Sequence, residues 1–278
     1  MSLCRLVRIA RLGLICSILA FALINMYVAT GLLPVLFGEA TKFSSDLLDA
    51  EKTYAAEIRL GLSTTTADAE GEVVQARDVG VTAAKLEAAL EQFRGLIRQT
   101  PPLYSALKHA GKPLYAYARA GVDIARAPRE VEIRALNLDW FDGERLAVTV
   151  KCSKGTYIRS IAHDLGEVLR CGGHLAALRR TGVGRFGIDC AHTLDQLDSL
   201  STGERDALLL PLDALLQELP EVRLEPPEQA RFLQGQSLPG RGAPQDRVRV
   251  YGVGGALLGV AEIRPDGAIS PKRVIAQA

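Results

Sequence analysis

Two stretches of this 278-residue chain gather side chains that could do chemistry on a polyanion. The first is Lys151-Cys152-Ser153-Lys154-Gly155-Thr156-Tyr157-Ile158-Arg159, which ends one periodic segment and opens another. Gly155 lets the backbone turn sharply, Thr156 is placed to cap a helix, and a helix start between Lys154 and Arg159 is an anion site. A plain strand-to-helix connection would use the same letters. The second runs Pro102-Leu103-Tyr104-Ser105-Ala106-Leu107-Lys108, then Gly111-Lys112-Pro113-Leu114-Tyr115-Ala116-Tyr117-Ala118-Arg119. It interleaves aromatics with cations, and an RNA loop is held by stacking faces and phosphate contacts. A tyrosine pair in the core of an amphipathic helix is the competing reading.

The other constellations carry less. Gly182-Val183-Gly184-Arg185-Phe186-Gly187 satisfies G-x-G-x-x-G, but lacks the buried strand before it and the capped helix after it. Cys171-x-x-His174 and Cys190-x-His192 match no common zinc spacing, so no metal is expected. His163-Asp164 reads as a surface pair. The five cysteines, odd in number and without C-x-x-C, fit reduced thiols in a cytosolic protein. The net charge of +1 hides a segregation. Residues 39–91 carry 5 Lys/Arg against 11 Asp/Glu, 94–134 carry 8 against 3, and 145–185 carry 8 against 2. Local basic surface, rather than the total, is what a polyanion meets.

The elements that must position these residues are legible in outline. Thr53–Leu60 alternates as a half-buried strand. Thr82 caps a helix running to about Phe93, and Pro113 and Gly121 bracket a short one. Val131–Leu138 and Leu146–Cys152 form a hairpin around Asp142-Gly143. Ile158, Ile161, Ala162, Leu165, Val168 and Leu169 make a helical stripe ended by Cys171-Gly172-Gly173. Short helices are expected over 193–200 and 206–217, a linker around Pro220, Pro226 and Pro227, then strands at 247–251, 256–263 and 268–275. The fold class is α+β, a mixed sheet with helices followed by a small all-β module.

The start of the chain is of another kind. Arg5, Arg8 and Arg11 precede a stretch without charge from Leu12 to Gly38. Leu12–Val28 has the character of a membrane span, and Ala20-Phe21-Ala22 that of a signal cleavage site.

The two chemical stretches resemble the TruB family, bacterial tRNA pseudouridine synthases acting on the T-loop. Lys151–Arg159 is similar to the family's CSKGTYIRSL motif. Tyr104–Lys108, Lys112–Gly121, Leu178-Arg179-Arg180-Thr181 and the run from Ala29 through Thr41-Lys42 to Tyr54 follow in the family's order. The resemblance covers about 29–275. It implies an isomerase that flips a uridine out of the T-loop, breaks its glycosidic bond, rotates the uracil and re-bonds it through carbon. It implies a catalytic domain over 29–218 and a PUA-like RNA-binding domain over 222–278. Arg159 matches the arginine that pairs with the nucleophilic aspartate, Tyr54 the tyrosine that stacks on the base, and Tyr157 and Leu178 the pocket lining. Lys108, Lys112 and Lys154 would meet the phosphates. No cofactor and no obligate protein partner are implied, tRNA is the partner, and the location is cytoplasmic rather than at a membrane.

One part of the pattern is absent. The family aspartate stands in G-H-T-G-[AT]-L-D-P-L-A-T-G, of which only Ala29-Thr30-Gly31 survives, after Ile24-Asn25-Met26-Tyr27-Val28. Residues 1–28 are therefore read as a leader foreign to the family, from a shifted or wrongly started reading frame. A genuine inactive paralogue, binding or folding tRNA, and a membrane-anchored protein are the alternatives. On this reading Arg159 loses its ionic partner, and Glu39 is the carboxylate considered as a substitute.

Overall fold

The computed structural model describes residues 16–19, 29–240 and 242–276. The described residues divide into two compact units, one of residues 19, 29–33 and 48–194, the other of 16–18, 34–47, 195–240 and 242–276.

The first unit is built on one mixed sheet. Its strands are β1 (Ala29–Gly31), β2 (Lys52–Leu60), β3 (Gly95–Gln99), β4 (Arg129–Phe141), β5 (Arg145–Cys152), β6 (Gly173–Val183) and β7 (Phe186–Gly187). The order is β7-β6-β2-β5-β4-β3, and β1 pairs parallel with β6. The β4–β5 hairpin turns at Asp142, whose carboxylate accepts the amides of Glu144 and Arg145. Alternation puts Ala56, Ile58 and Leu60 of β2 on the face that carries Leu146, Val148 and Val150 of β5. Helix α1 (Ala83–Glu91) adds Leu86 and Leu90 to that core, and α3 (Ile158–Val168) adds Ile158, Ile161, Ala162 and Leu165. Each buried Leu, Ile or Val of this core contributes about 1.5–3 kcal/mol. Between them lies the short helix α2 (Leu114–Arg119), opened by Pro113 as its spacing predicts.

Helix α3 approaches the sheet so closely that a Cβ on Gly166 would stand 2.1 Å from the amide nitrogen of Gly173. At the other edge Gly31 has φ +111°, and a Cβ there would fall 2.2 Å from the Arg180 carbonyl oxygen. Only glycine lets β1 join β6. The six-residue glycine pattern 182–187 is the turn between β6 and β7.

The second unit holds a four-stranded sheet, β8 (Glu221–Arg223), β9 (Gln245–Tyr251), β10 (Leu257–Ile263) and β11 (Ile269–Val274), in that order. The expected linker is not one. Residues 221–223 pair parallel with β9, and Pro226 and Pro227 occupy the first turn of α4 (Pro226–Leu233), whose Phe232 is fully buried. Proline suits that turn because its missing N–H has no partner there anyway. The helix expected over 206–217 is instead a helix at Thr202–Ala207 and a 3-10 turn at Leu212–Leu215, interrupted by Pro211. Ala40 and Phe43 share a core with Leu212, Leu216, Val260 and Ile275. Residues 34–47 and 195–218 thus pack with the C-terminal strands.

Among the described residues no helix is long and apolar enough to cross a membrane. The candidate span Leu12–Val28 lies outside them except for Cys16–Leu19, a short strand.

Candidate uridine site at the start of helix α3

The residues singled out by type and spacing fall into two groups. Tyr54 and Leu178 pack against the core that contains Ile158, and Tyr157 and Arg159 flank Ile158 at the start of α3. Lys108 and Lys112 stand apart, exposed on a two-strand hairpin turned by Ala110 and Gly111 at positive φ.

The decisive side chain is Arg159, only 8% exposed. Its Nη1 donates to Oδ2 of Asp68 at 2.9 Å, and its Nη2 donates to the Tyr104 carbonyl at 2.7 Å. Asp68, 1% exposed, is itself held on all sides. Its Oδ1 accepts the Thr66 hydroxyl at 2.5 Å and the Glu70 amide at 3.1 Å, and its carbonyl accepts the Thr64 hydroxyl. The loop is fastened to β6 by an Asp68–Leu175 bridge and by the Leu175 amide on the Ala67 carbonyl. The expectation that Arg159 lacks an ionic partner is therefore corrected, since a buried carboxylate from another segment pairs with it. Nothing marked Asp68 in the sequence. It sits in Thr64-Thr65-Thr66-Ala67-Asp68-Ala69-Glu70-Gly71, which reads only as a turn.

Thr156 does not cap α3. The N-cap is Tyr157, without a side-chain cap, and the Thr156 hydroxyl donates to the Ser153 carbonyl. Both polar main-chain groups of Tyr157 are instead met by Gln99, whose Nε2 donates to the Tyr157 carbonyl at 3.0 Å and whose Oε1 accepts its amide at 2.7 Å. Lys154 forms an exposed ion pair with Asp49 at 2.7 Å. The two cations flanking the helix start thus already hold carboxylates. Lys154 lowers the Asp49 pKa through its hydrogen bond. Burial raises the Tyr54 phenol above its usual value, partly offset by Arg180.

On the hairpin arm the Tyr117 hydroxyl donates to the His109 carbonyl, the two rings meet edge to face, and the Arg119 guanidinium lies 5.4 Å from the Tyr115 ring centroid. Tyr115 is exposed and Tyr117 half-buried, so they are not a core pair. Thr30, Ala55, Glu57, Glu70, Leu178 and Arg179 line an open cleft of about 690 Å³. Glu39 is engaged elsewhere, ion-paired with Lys42 at 2.5 Å and accepting the Ala276 amide, and Lys42 lowers its pKa. Among the described residues no three His, Cys, Asp or Glu side chains gather to hold a metal, and His163 pairs with Asp164 on the surface.

Similar folds occur among solved structures. The protein in the structure of an H/ACA RNP bound to a substrate RNA containing 2′-deoxyuridine matches at TM-score 0.68 and 19% identity, covering 99% of this chain and 80% of that one. A chain of a Cbf5-Nop10-Gar1 complex matches at TM-score 0.65 and 23% identity, covering 88% and 73%. These likenesses show that the chain shares the fold of those proteins. Sequence comparison is more specific. Residues 27–158 match the N-terminal domain of TruB family pseudouridylate synthase, 159–217 a tRNA pseudouridylate synthase B C-terminal domain, and 220–275 a pseudouridine synthase II TruB C-terminal domain. The tRNA pseudouridine synthase B of Ralstonia nicotianae is 54% identical over 258 residues, 89% of this chain and 82% of that protein, and that of Cupriavidus metallidurans is 51% identical with the same coverage. This chain belongs to the TruB family of pseudouridylate synthases.

Proposed function

We propose that this protein recognises the T-arm of tRNA and receives a flipped T-loop uridine at the start of α3. Relatives at 51–54% identity that are named tRNA pseudouridine synthase B support this reading. The observation that carries it is the fixed Arg159, a buried guanidinium aimed by Asp68 and by the Tyr104 carbonyl, two residues beyond Tyr157. A cation placed in advance costs no reorganisation when a charged reaction centre arrives. Tyr54 offers a stacking face and Leu178 an apolar wall. Lys108, Lys112, Tyr115 and Arg119 offer phosphate and base contacts on an arm, and residues 222–278 act as a PUA-like second RNA contact. A tRNA substrate places the protein in the cytoplasm, needing neither metal nor cofactor.

Isomerisation further needs a carboxylate to open the glycosidic bond. Residues 1–38 contain no Asp or Glu. Asp68 is occupied by Arg159, Thr66 and Glu70, and Asp49 by Lys154. By its family and its relatives the chain is a tRNA pseudouridine synthase that recognises T-arm RNA, and its sequence lacks the family's aspartate motif. Fluorescence anisotropy with a T-arm stem-loop tests this. Binding is expected to exceed that of a hairpin with a scrambled loop, and equal affinity for the two would overturn the reading.

A further inference from the structure

We infer that Gln99 is a positioning residue of the uridine pocket, which acts by fixing the main chain of Tyr157. The inference rests on the reading of the α3 start as that pocket. Gln99 is the last residue of β3, an edge strand that pairs only with β4, and its side chain is 2% exposed. Its amide plane presents a donor and an acceptor at once to the carbonyl and amide of Tyr157, at 3.0 and 2.7 Å. A two-point contact from a planar group sets orientation as well as position, which a single hydrogen bond does not. The Tyr157 N-cap makes no side-chain capping bond, so its own amide is held by Gln99 alone among the side chains.

The contact heads a short strap. Thr100 accepts the Ser160 hydroxyl on its carbonyl, and the Tyr104 carbonyl accepts Nη2 of Arg159. Residues 99–104 therefore grip 157, 159 and 160 at three points. The same segment continues into the hairpin that bears Lys108 and Lys112. The Gln99 amide is the only one of the three grips made by a side chain of the strap, so substitution can remove it while the backbone grips stay.

Two variants test this. Gln99→Met keeps the length and burial but leaves the Tyr157 amide without its acceptor, while the Tyr157 carbonyl keeps the Ser160 and Ile161 amides. Gln99→Glu keeps the acceptor and donates only while the introduced carboxyl is protonated. Affinity is measured for a T-arm stem-loop with uridine at the flipped position and for one with an abasic site there. Gln99→Met should lose about tenfold for the uridine RNA and less than twofold for the abasic RNA. In Gln99→Glu the preference for uridine should fall as pH rises, whereas in the unaltered chain the preference should not change. Equal losses for both RNAs would mean a merely structural role, and no loss for either would mean no role; each overturns the inference. Hydrogen exchange at the Tyr157 amide provides a readout without RNA. It should quicken in Gln99→Met while the Ile97 amide, in the β3–β4 ladder, keeps its rate; an unchanged Tyr157 rate overturns the inference. An unaltered chain that binds neither RNA, with the exchange change present, refutes the pocket reading instead.

Discussion

Replacing Asp68 with alanine removes the counter-charge of a guanidinium that stays behind in the interior. The attraction between the two groups, at 2.9 Å and an effective dielectric of ~20, is on the order of 6 kcal/mol. Most of that offsets the cost of desolvating both ions. When one partner leaves, the other's desolvation remains uncompensated, and the expected loss is about 3–5 kcal/mol. The Thr66 hydroxyl and Glu70 amide lose their acceptor as well. Asp68→Asn keeps the shape and one carbonyl oxygen and should cost less, about 2–3 kcal/mol. The double replacement Asp68→Leu with Arg159→Met removes both charges and should recover much of the loss, giving a large positive coupling in the cycle. The assay is urea unfolding followed by the fluorescence of Trp140, the single tryptophan, which lies in β4 of the same unit. A shifted midpoint at unchanged slope isolates stability. A loss below 1 kcal/mol for Asp68→Ala, or additivity in the cycle, would refute the claim that this pair holds the site together.

Four further outcomes are expected. Gly31→Ala should destabilise by about 2–4 kcal/mol, because the added Cβ meets the Arg180 backbone from a strained φ, and thermal melting would reveal a smaller effect if β1 moved freely. Neutralising Lys108 and Lys112 should flatten the slope of log affinity against log salt by about 2, whereas Lys154, already held by Asp49, should contribute less and Asp49→Asn should tighten RNA binding; an unchanged slope would show that the arm does not touch phosphate. Burial raises the Cys152 thiol to about 11, so mass spectrometry after brief alkylation near pH 8 should find exposed Cys190 labelled well before Cys152; the unfolded thiol releases its proton near its ordinary value of 9.0 and the folded one only near 11, so Cys152 makes stability fall as pH rises across that window, a fall that Cys152→Ala should lessen in alkaline unfolding curves. Tritium release from uridine-labelled T-arm RNA should be undetectable for this chain and should appear when Gly-His-Thr-Gly-Ala-Leu-Asp-Pro-Leu replaces residues 1–28, and full turnover by the unaltered chain would sink the assignment of a missing nucleophile.

What the sequence disclosed, and what it hid, divides by the range of the interactions. β2, the β4–β5 hairpin and α3 were legible because each writes its own period, and the hairpin and the helix also end at local signals, Asp142-Gly143 and Cys171-Gly172. Pro226-Pro227 misled because proline marks a linker and a helix start with the same letters. The difference lay in Glu225 and Glu228, which make reciprocal capping bonds. Arg159 and Tyr157 were found through a motif rather than through periodicity. Their partners were not found, since Asp68 stands 91 residues from Arg159 and Gln99 stands 58 from Tyr157. Hydrogen bonds across such separations leave no mark on local composition. Thr156 looked like a cap for the same reason. Only the fold shows that the helix start is held instead by a distant glutamine on the main chain of Tyr157.

The separation of the nucleophile from the rest of the site has a physical basis. The side-chain partners of Arg159 lie in residues 68–104, and the strands of its sheet lie in residues 29–187. None of these interactions draws on a carboxylate from the first 28 residues. The desolvation of the guanidinium is met by Asp68 and Tyr104, so removing a catalytic aspartate does not leave a bare buried cation to unfold the sheet. Binding and catalysis are then stabilised by different parts of the chain. The proposed uridine site at the start of α3, the strap from Gln99 to Tyr104 and the lysine-bearing arm form one connected set, held by contacts that need no further carboxylate. Such a chain should hold T-arm RNA with the affinity of its active relatives while turning none of it over.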